Sequence, residues 1–487
     1  MNTKVLHFFG IFLVFIGACM AVPLLIALAY GEYREAGAFL LSSVICITPG
    51  IISRLIFKTA VTDEKLALRD SYFIVAVSWF LASLFGSLPY LLTGVTSSFK
   101  DALFETASGF TTTGATIFPD VEILPHCILV WRSLTQWLGG MGIIVLFFAL
   151  LPKFGAVAGT ISRAETPGPI QRRIASRYSA MAQRLYLAYI ILTGLLFLLL
   201  LFGKMSPFDA INHAFTTMAT GGFSTYNNGL AHFNSSYIYL VIGLFAFLAG
   251  SNFTLFFDIL QGRIKEAFKD EEYRRYLEII LVSTVLIFIF LALDHGTDDL
   301  FHDFGSAAFH VLNTISTLGF ETEAASWPSF CLLILVCLMI MGGCSSSTAG
   351  GVKVSRVLLL FKVIRRDIRN SIHGSLVDDI TYNRKKIQTD TMNYILSFSI
   401  LFMTVIGVAT LIIALFGGGD LLQDILSLLS CMGNQGPAFD NLGLECCYNT
   451  ESWICSLTYI FVMIAGRLEI TTFLVLFSRH FWNPYTV

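Results

Sequence analysis

Charged residues are scarce in this chain: Asp, Glu, Lys and Arg make up 13% of its 487 residues, and hydrophobic residues make up 55%. A typical soluble domain has about 25% charged residues, so this composition excludes an ordinary soluble protein. The ten cysteines include no pair with metal-site or CxxC spacing. The chain also lacks Walker A and dinucleotide-binding motifs, which excludes the common nucleotide-binding sites.

Apolar runs take up most of the sequence instead, and the mean hydropathy is +0.73. A transmembrane helix needs about 20 apolar residues. The first run is too long for a signal-peptide core, so we expect it to remain as a span. Only the eighth run is visibly interrupted. The sequence therefore predicts an all-α polytopic membrane protein with ten spans, at Val5–Tyr30, Ala36–Phe57, Ser71–Gly94, Cys127–Leu151, Leu185–Phe202, Tyr237–Leu260, Leu277–Leu293, Phe330–Val363, Tyr394–Phe416 and Trp453–Phe477.

The basic residues are distributed very unevenly between the loops. Arg34, Lys100 and Lys204 lie on one face, and Arg132 and Arg467 lie within apolar runs. Cytoplasmic loops are enriched in Lys and Arg, so we expect both termini to be cytoplasmic. The remaining basic residues all fall on that face if ten spans alternate, at Lys4, at Arg479 and in segments 54–69, 153–184, 263–275, 353–386.

The opposite face is acidic, with residues such as Glu32, Asp120 and Asp209. Carboxylates around a pore mouth raise the local concentration of cations. Outer loops are also acidic simply because basic residues are kept inside. The acidic face is therefore compatible with a cation as substrate but does not identify it.

A short glycine-centred segment occurs four times, each time between two apolar runs. Aligned on the glycine, position −2 is Thr in three copies and Asn in the fourth. Each copy follows a semi-polar stretch that we predict to be a half-length helix, a pore helix, at Phe99–Phe110, Ser206–Ala219, Leu300–Ser316 and Asp420–Cys431. Non-helical backbone at membrane depth is tolerated only where it is buried or lines a water-filled path. The predicted organisation is two leading helices in residues 1–70 and four pore repeats in 71–180, 181–275, 276–390 and 391–487.

Rings of backbone carbonyls from four loops can replace the hydration shell of a monovalent cation, as in potassium channels. Glycine recurs because inward-facing carbonyls require backbone angles that a Cβ resists. Tight helix packing would explain one or two such glycines but not four in a shared context. We predict a filter that binds a monovalent cation, formed by Thr112, Thr113, Gly114, Thr220, Gly221, Gly222, Thr317, Leu318, Gly319, Asn434, Gln435 and Gly436.

With these four segments, the sequence resembles the Trk/Ktr/HKT superfamily of potassium transporters, most closely its bacterial TrkH or TrkG type. The resemblance implies a pseudo-fourfold pore in each subunit, a homodimer in the bacterial inner membrane, and K⁺ as the transported ion with no organic cofactor in this chain. It also implies a TrkA-like cytoplasmic ring that binds NAD or ATP, and we expect it to dock on segments 153–184 and 364–390. Nucleic acid is not expected as a partner. Relatives that pass sodium commonly have serine at the first filter glycine, so Gly114 favours potassium.

The interruption of the eighth span has four glycines and four hydroxyl residues in ten positions, which makes a poor helix. One interpretation is a flexible intramembrane loop that blocks or clears the ion path; a tight small-residue helix contact is the other. The stretch resembles the gating loop of the TrkH type. The predicted gate comprises Gly342, Gly343, Ser345, Ser346, Ser347, Thr348, Gly350, Gly351 and Arg467.

Charged residues inside apolar runs usually mark function or a specific partner. Arg467 either sets an electrostatic barrier, holds the loop through its carbonyls, or pairs with Glu469 or another acid. The family's last helix carries an equivalent arginine beside the loop. For Arg132, near a helix start, we expect the side chain to extend to the interface. Glu105, His213 and His310 each lie nine positions before a filter glycine. We expect them to hydrogen-bond pore-helix neighbours, and a proton-sensing role is the alternative.

The sequence thus predicts the membrane subunit of a bacterial potassium uptake system. One alternative is a sodium-permeable or non-selective cation pathway on the same fold. Another is a membrane-embedded enzyme, although the chain has no HExxH, no paired intramembrane aspartates and no convergent Ser/His pair. The sequence leaves open whether transport is passive or coupled to H⁺ or Na⁺.

Overall fold

A computed structural model describes residues 3–57, 68–142, 178–260, 262–295, 300–320, 327–372, 379–436, 448, 452–468 and 470–482. Most of the predicted docking segment 153–184, part of segment 364–390, and Glu469 lie outside the described residues. Within them the chain is almost entirely helical. The only strands in these ranges form one hairpin, in which Thr381–Tyr382 pairs antiparallel with Lys385–Lys386.

Six helical stretches are long and apolar enough to cross a membrane, at Thr3–Tyr30, Tyr33–Ile56, Arg69–Thr93, Ala182–Phe202, Glu271–Asp294 and Thr389–Phe416. Each coincides with one of the predicted spans. The prediction of an all-α polytopic membrane protein is therefore confirmed. Of the shorter apolar helices, Leu421–Gly433 lies at a place predicted for a pore helix, and the others, Ser236–Gly250, Ser329–Met341 and Trp453–Arg467, belong to interrupted spans.

The two leading helices, Thr3–Cys19 and Tyr33–Ile56, pack against each other through small residues. A Cβ built on Gly10 would lie 2.8 Å from the carbonyl oxygen of Gly50, and the reverse approach is equally close. Ser53 Oγ donates a hydrogen bond to the Leu6 carbonyl at 2.7 Å. Close backbone approach with hydroxyl-to-carbonyl bonds is the usual way in which helices associate in lipid.

Four short helices lie at the places predicted for the pore helices. The second begins as the sequence indicates, because the Ser206 side chain accepts a hydrogen bond from the Asp209 amide and Pro207 occupies the first turn. The fourth is capped in the same way by Asp420. Their observed bounds are Phe99–Phe110, Pro207–Ala219, Leu300–Ile315 and Leu421–Gly433, and the helices that precede them are Leu68–Gly86 with Leu88–Thr93, Tyr178–Phe202, Glu271–His295 and Thr389–Phe416.

The expectation that only the eighth span is interrupted is wrong. The helices that follow the pore helices all end after 13 to 15 residues, at His126–Gly140, Ser236–Gly250, Ser329–Met341 and Trp453–Arg467. Three of them resume further on, as Phe253–Leu260, Val354–Ile372 and Ile470–Leu474. The physical reason is crowding against the pore helices: a Cβ on Gly139 would collide with the Phe110 carbonyl, and one on Gly466 with the Met432 carbonyl. Hydropathy does not register such a break, because the residues on both sides remain apolar.

The other described elements are short: two 3₁₀ turns, Gly229–Phe233 and Val475–Phe477, and two single-turn helices, Ile264–Ala267 and Arg479–Trp482.

Candidate functional site

The loops that follow the four pore helices share one backbone conformation. At position −2, φ lies between 53° and 56° in all four, at Thr112, Thr220, Thr317 and Asn434. At the glycine, φ lies between 73° and 80°, at Gly114, Gly222, Gly319 and Gly436. Left-handed φ values are uncommon for residues with a Cβ, and in a β-branched threonine they are true outliers. Their fourfold recurrence indicates that the tertiary structure imposes this conformation.

The same cap ends each pore helix. In each loop the amide of the residue before the glycine donates to a carbonyl five positions earlier: Thr113 to Ser108, Gly221 to Thr216, Leu318 to Asn313 and Gln435 to Ser430, at 2.9 to 3.0 Å. This bond is the mark of a Schellman cap with a left-handed residue at its centre. It fixes the point at which each chain turns away from its pore helix.

The four loops meet one another in a closed ring. A Cβ built on Gly114 would lie within 2.5 Å of the Gly221 carbonyl oxygen in the next loop, and the same holds from Gly222 to Leu318, from Gly319 to Gln435 and from Gly436 to Thr113. The fourth loop therefore contacts the first. All twelve predicted filter residues lie in the four loops that form this ring.

Buried side chains hold the loops from behind. Gln136 donates from Nε2 to the Gly221 carbonyl at 2.7 Å and accepts from the Phe223 amide at 3.2 Å. Asn313 forms the equivalent pair of bonds with the amide and carbonyl of Phe320. Asn434 donates to Thr113 Oγ1 at 3.0 Å, which links the last loop to the first. Sequence reasoning missed Gln136 and Asn313; the signal for Gln136 was a polar residue one helical turn after Arg132 in an apolar run.

Arg132 does not extend to the interface as expected. Its side chain is 3% exposed, and Nε donates to Glu105 Oε1 at 2.8 Å. Glu105 also accepts from the Ile117 amide, and Arg132 donates to the Ser224 carbonyl and lies 4.1 Å from the Phe223 ring centroid. A buried ion pair with further hydrogen bonds on both partners compensates much of its desolvation. The pair joins the first and second pore loops.

The histidines at the same register bond as predicted to their own pore helices. His213 Nδ1 lies 2.9 Å from the Asp209 carbonyl, and His310 Nδ1 lies 2.9 Å from the Ser306 carbonyl. His213 Nε2 also reaches Ser224 Oγ at 3.1 Å. Glu105 differs from the expectation, since its described partners lie in the loop after the filter and on the next helix.

Segment 342–351, the intramembrane loop, lies against the ring of glycine-centred loops, beside the C-terminal ends of the third and fourth pore helices. The Gly350 amide donates to Thr317 Oγ1 at 2.8 Å, and a Cβ on Gly350 would collide with the Gly433 carbonyl. On its other flank, the Cys344 amide donates to the Gly250 carbonyl at 2.9 Å. The loop therefore contacts the second, third and fourth pore units at once.

The two ends of the intramembrane loop lie side by side. The Val352 amide donates to the Ile340 carbonyl at 3.0 Å, and the Lys353 amide donates to the Met341 carbonyl at 2.8 Å. Within the loop, Ser347 Oγ bonds to the Cys344 carbonyl, while Gly342, Ser346 and Gly351 have left-handed φ values. Gly343 and Ser345 are buried at its start, Gly343 beside the Ala349 side chain.

Two basic side chains, Arg467 and Lys353, lie at this loop. Arg467 donates from Nη1 to the Thr348 carbonyl at 2.7 Å and from Nη2 to the carbonyls of Gly139, at 2.7 Å, and Gly140. It thereby bridges the loop to the first pore unit. Lys353, which sequence reasoning missed, is buried and donates from Nζ to the Ala349 carbonyl. Of the sequence alternatives for Arg467, the described contacts match hydrogen bonding to loop carbonyls.

Comparisons with known proteins agree with this architecture. The sequence profile of the TrkH family, described as a cation transport protein, matches residues 37–483. The Trk system potassium uptake protein TrkH of Salmonella typhimurium is 33% identical over 478 residues, covering 97% of this chain and 98% of that protein. TrkG of Escherichia coli K12 is 31% identical and covers 99% of this chain and 100% of that protein.

Among solved structures, the crystal structure of the potassium transporter TrkH from Vibrio parahaemolyticus matches with a TM-score of 0.86 and 30% identity, covering 99% of both chains. The family resemblance inferred from the four glycine-centred segments is confirmed. The membrane-embedded enzyme is excluded by the same matches. This chain therefore belongs to the TrkH family of cation transport proteins.

Proposed function

We propose that this chain is the membrane subunit of a Trk-type potassium uptake system, in which K⁺ crosses a carbonyl-lined filter and then passes a gate formed by the intramembrane loop. The observation that carries the proposal is the closed ring of four glycine-centred loops. The relatives that are similar over nearly the whole chain are named as potassium uptake proteins, which supports K⁺ as the transported ion.

The ring has the oxygen atoms that a dehydrated cation needs. Backbone carbonyls of the twelve filter residues supply most of them. Thr112 Oγ1 and Asn434 Oδ1 are buried and have no hydrogen-bond partner among the described residues, so they are available as additional ligands. The Gly221 carbonyl already accepts from Gln136, but a carbonyl oxygen has a second lone pair.

The intramembrane loop and Arg467 act as the gate in this proposal. The loop lies across the exit of the filter in contact with Thr317, and Arg467 fastens it to the first pore unit. The Arg467 and Lys353 charges would also oppose a cation that leaves the filter. Opening therefore requires that the loop and the Arg467 and Lys353 side chains move away from the exit of the filter.

The proposed system includes partners. The excess of Lys and Arg on one face supports cytoplasmic termini in the bacterial inner membrane. The printed names of the relatives refer to a Trk system, which supports a cytoplasmic regulatory ring of the TrkA type, docked on segments 153–184 and 364–390. We also propose a homodimer, as the family resemblance implies.

Fluxes of K⁺, Rb⁺ and Na⁺ into liposomes containing the purified chain test the function. We expect K⁺ and Rb⁺ to enter and Na⁺ to be excluded. Sodium entry equal to that of potassium would instead support the sodium-permeable or non-selective pathway. No flux of any cation, from protein that is folded and inserted, would contradict both.

Substitution Gly114→Ser tests whether the ring is the filter. Its Cβ would displace the Gly221 carbonyl, so discrimination of K⁺ over Na⁺ should fall by roughly tenfold, the equivalent of 1.4 kcal/mol. Gly94→Ser is the matched control, because Gly94 has a similar φ of 81° but lies outside the ring, with only Arg34 near its Cβ position. Unchanged selectivity in Gly114→Ser would remove Gly114 from the filter.

A further inference from the structure

Glu272 is a buried carboxylate that none of the steps above uses. It is the second residue of helix Glu271–His295 and is 2% exposed. Its Oε1 accepts from the Ser345 amide at 2.6 Å and from the Ser355 amide at 3.2 Å. Ser345 lies near the start of the intramembrane loop, and Ser355 lies in the first turn of the helix that follows it. One carboxylate oxygen therefore holds both sides of the loop.

The two amide donors offset part of the cost of burying this carboxylate. The first amides of a helix have no partner within the helix and carry the positive end of its dipole. Glu272 supplies the missing acceptor for helix Val354–Ile372 from a different helix. The Ser345 and Ser355 hydroxyl groups also bond to each other at 2.5 Å, which closes the neck of the loop.

The other carboxylate oxygen faces the hairpin 380–387, which contains the two described strands. Tyr382 is buried, and its hydroxyl group lies 3.4 Å from Glu272 Oε2. Asn383 bonds to the two residues that precede Glu272. It accepts from the Glu271 amide at 2.8 Å and donates to Asp270 Oδ2 at 2.7 Å. Lys362 joins the Thr381 carbonyl at 2.7 Å to the Glu271 carboxylate. The hairpin is thus fastened along residues 270–272.

Apolar packing fixes the hairpin against helices Val354–Ile372 and Thr389–Phe416. Ile380, Tyr382 and Ile387 form a buried cluster whose other members are Leu359, Val363, Met392 and Ile395. Its tip is exposed and basic, with Arg384, Lys385 and Lys386. A partner with surface carboxylates could attach to this tip, and its movement would be transmitted to residues 270–272.

We propose that Glu272 is a positioning residue that couples the hairpin 380–387 to the intramembrane loop, so that displacement of the hairpin releases both sides of the loop together. The coupling rests on the proposed function, because it concerns how the gate is regulated. It adds a physical connection from the predicted docking segment 364–390 to the ion path. The seated hairpin favours the closed loop, and its displacement favours opening.

Amide hydrogen exchange of residues 342–355, measured on the full chain in lipid nanodiscs, tests the coupling without any transport assay. In Glu272→Gln, exchange of this segment should rise about tenfold, because the two amides would then bond to a neutral amide oxygen, which is a weaker acceptor than a carboxylate. The matched control is Glu278→Gln on the same helix, which is exposed and pairs with Arg275 at the surface. Exchange equal to wild type in Glu272→Gln would overturn the proposal.

A milder variant tests transmission from the hairpin. Tyr382→Phe removes only the hydroxyl group and leaves every direct bond to the loop, so exchange of residues 342–355 should rise about threefold. In the Glu272→Gln background, the same change should add nothing. The control is Tyr394→Phe, whose hydroxyl group bonds to Thr471. Additive effects, or no effect of Tyr382→Phe, would show that Glu272 does not transmit movement of the hairpin.

Basal K⁺ flux of the same variants separates this inference from the proposed function. Glu272→Gln should raise basal flux about tenfold if the loop is the gate. Raised exchange without raised flux would contradict the gate assignment while leaving the coupling intact. Unchanged exchange would contradict the coupling while leaving the gate intact.

Discussion

The filter loops and the intramembrane loop are neighbours in space but are built on opposite plans. The filter conformation occurs four times, with φ at position −2 agreeing within three degrees, whereas the ten-residue intramembrane loop occurs once in the part of the chain that the structure describes. In the second pore unit the corresponding break takes only Ser251 and Asn252. Coordination of an ion requires oxygen atoms on all sides and hence repetition. Obstruction of a narrow path requires a single element.

The two regions also differ in what stabilises them. Each filter loop is fixed by backbone-to-backbone bonds of its helix cap, such as Thr113 to Ser108. The intramembrane loop depends to a greater extent on charged side chains from outside it, namely Arg467, Glu272 and Lys353, which follows the loop by two residues. Local backbone bonds persist as long as the helix does. Contacts with other helices are lost when those helices shift. Stabilisation by side chains of other helices therefore suits a loop that must be released.

The largest effect should follow from a substitution at the closest backbone contact in the ring of filter loops. A Cβ on Gly319 would overlap the Gln435 carbonyl oxygen, and φ there is 73°. Gly319→Ala should therefore reduce K⁺ flux by roughly 100-fold, about 2.7 kcal/mol in the barrier. Flux of ⁸⁶Rb⁺ into proteoliposomes measures it.

Gly305→Ala, in the third pore helix, is the matched control. No atom lies within 4 Å of a Cβ at that position, so flux should stay near the wild-type value. Equal flux in the two variants would contradict the close approach of the third and fourth loops.

Removing the single element should act in the opposite direction. Residues 341 and 352 flank the loop side by side, so deletion of Gly342–Gly351 leaves only a short gap to close. Basal flux should rise by at least about tenfold, equivalent to 1.4 kcal/mol. Thermal unfolding and elution volume establish that the deletion variant is folded. A folded variant with equal or lower flux would end the gate assignment.

The smallest effect should come from the hydrogen bond that joins the intramembrane loop to the third filter loop. Thr317→Val removes the oxygen that accepts from the Gly350 amide, so basal flux should rise about fivefold, the value of one hydrogen bond. Thr220→Val is the matched control, since Thr220 has nearly the same φ but its hydroxyl group bonds to its own neighbour Ala219. Identical changes in both variants would mean that the loop contributes nothing at Thr317.

Much of this structure could be predicted because the signals are local and repeated. The four pore helices lie at the predicted places, since Ser206, Pro207 and Asp209 determine a helix start by contacts within one turn. The glycine-centred segments were also recognisable from the sequence. A left-handed conformation between two apolar runs strongly restricts the residue type, and the restriction recurs in every copy.

Features that depend on distant contacts could not be predicted. Arg132 resembles an interfacial arginine until Glu105, on a different helix, is brought beside it. Glu272 stands among other acidic residues at a helix start, a pattern typical of solvated helix ends. The extra helix breaks escaped notice because glycines there respond to crowding by a neighbouring backbone, as Gly139 does against Phe110.

The ring of glycine and carbonyl contacts is closed by one polypeptide, and this has a consequence for how it can change. In an assembly of four identical chains, a single mutation alters every quadrant of the ring at once. Here each quadrant has its own codon, so Gly114, Gly222, Gly319 and Gly436 can be altered one at a time. In the proposed filter, ion preference can thus change in small, separately selectable steps, and the lone asparagine among three threonines is already one such departure from symmetry.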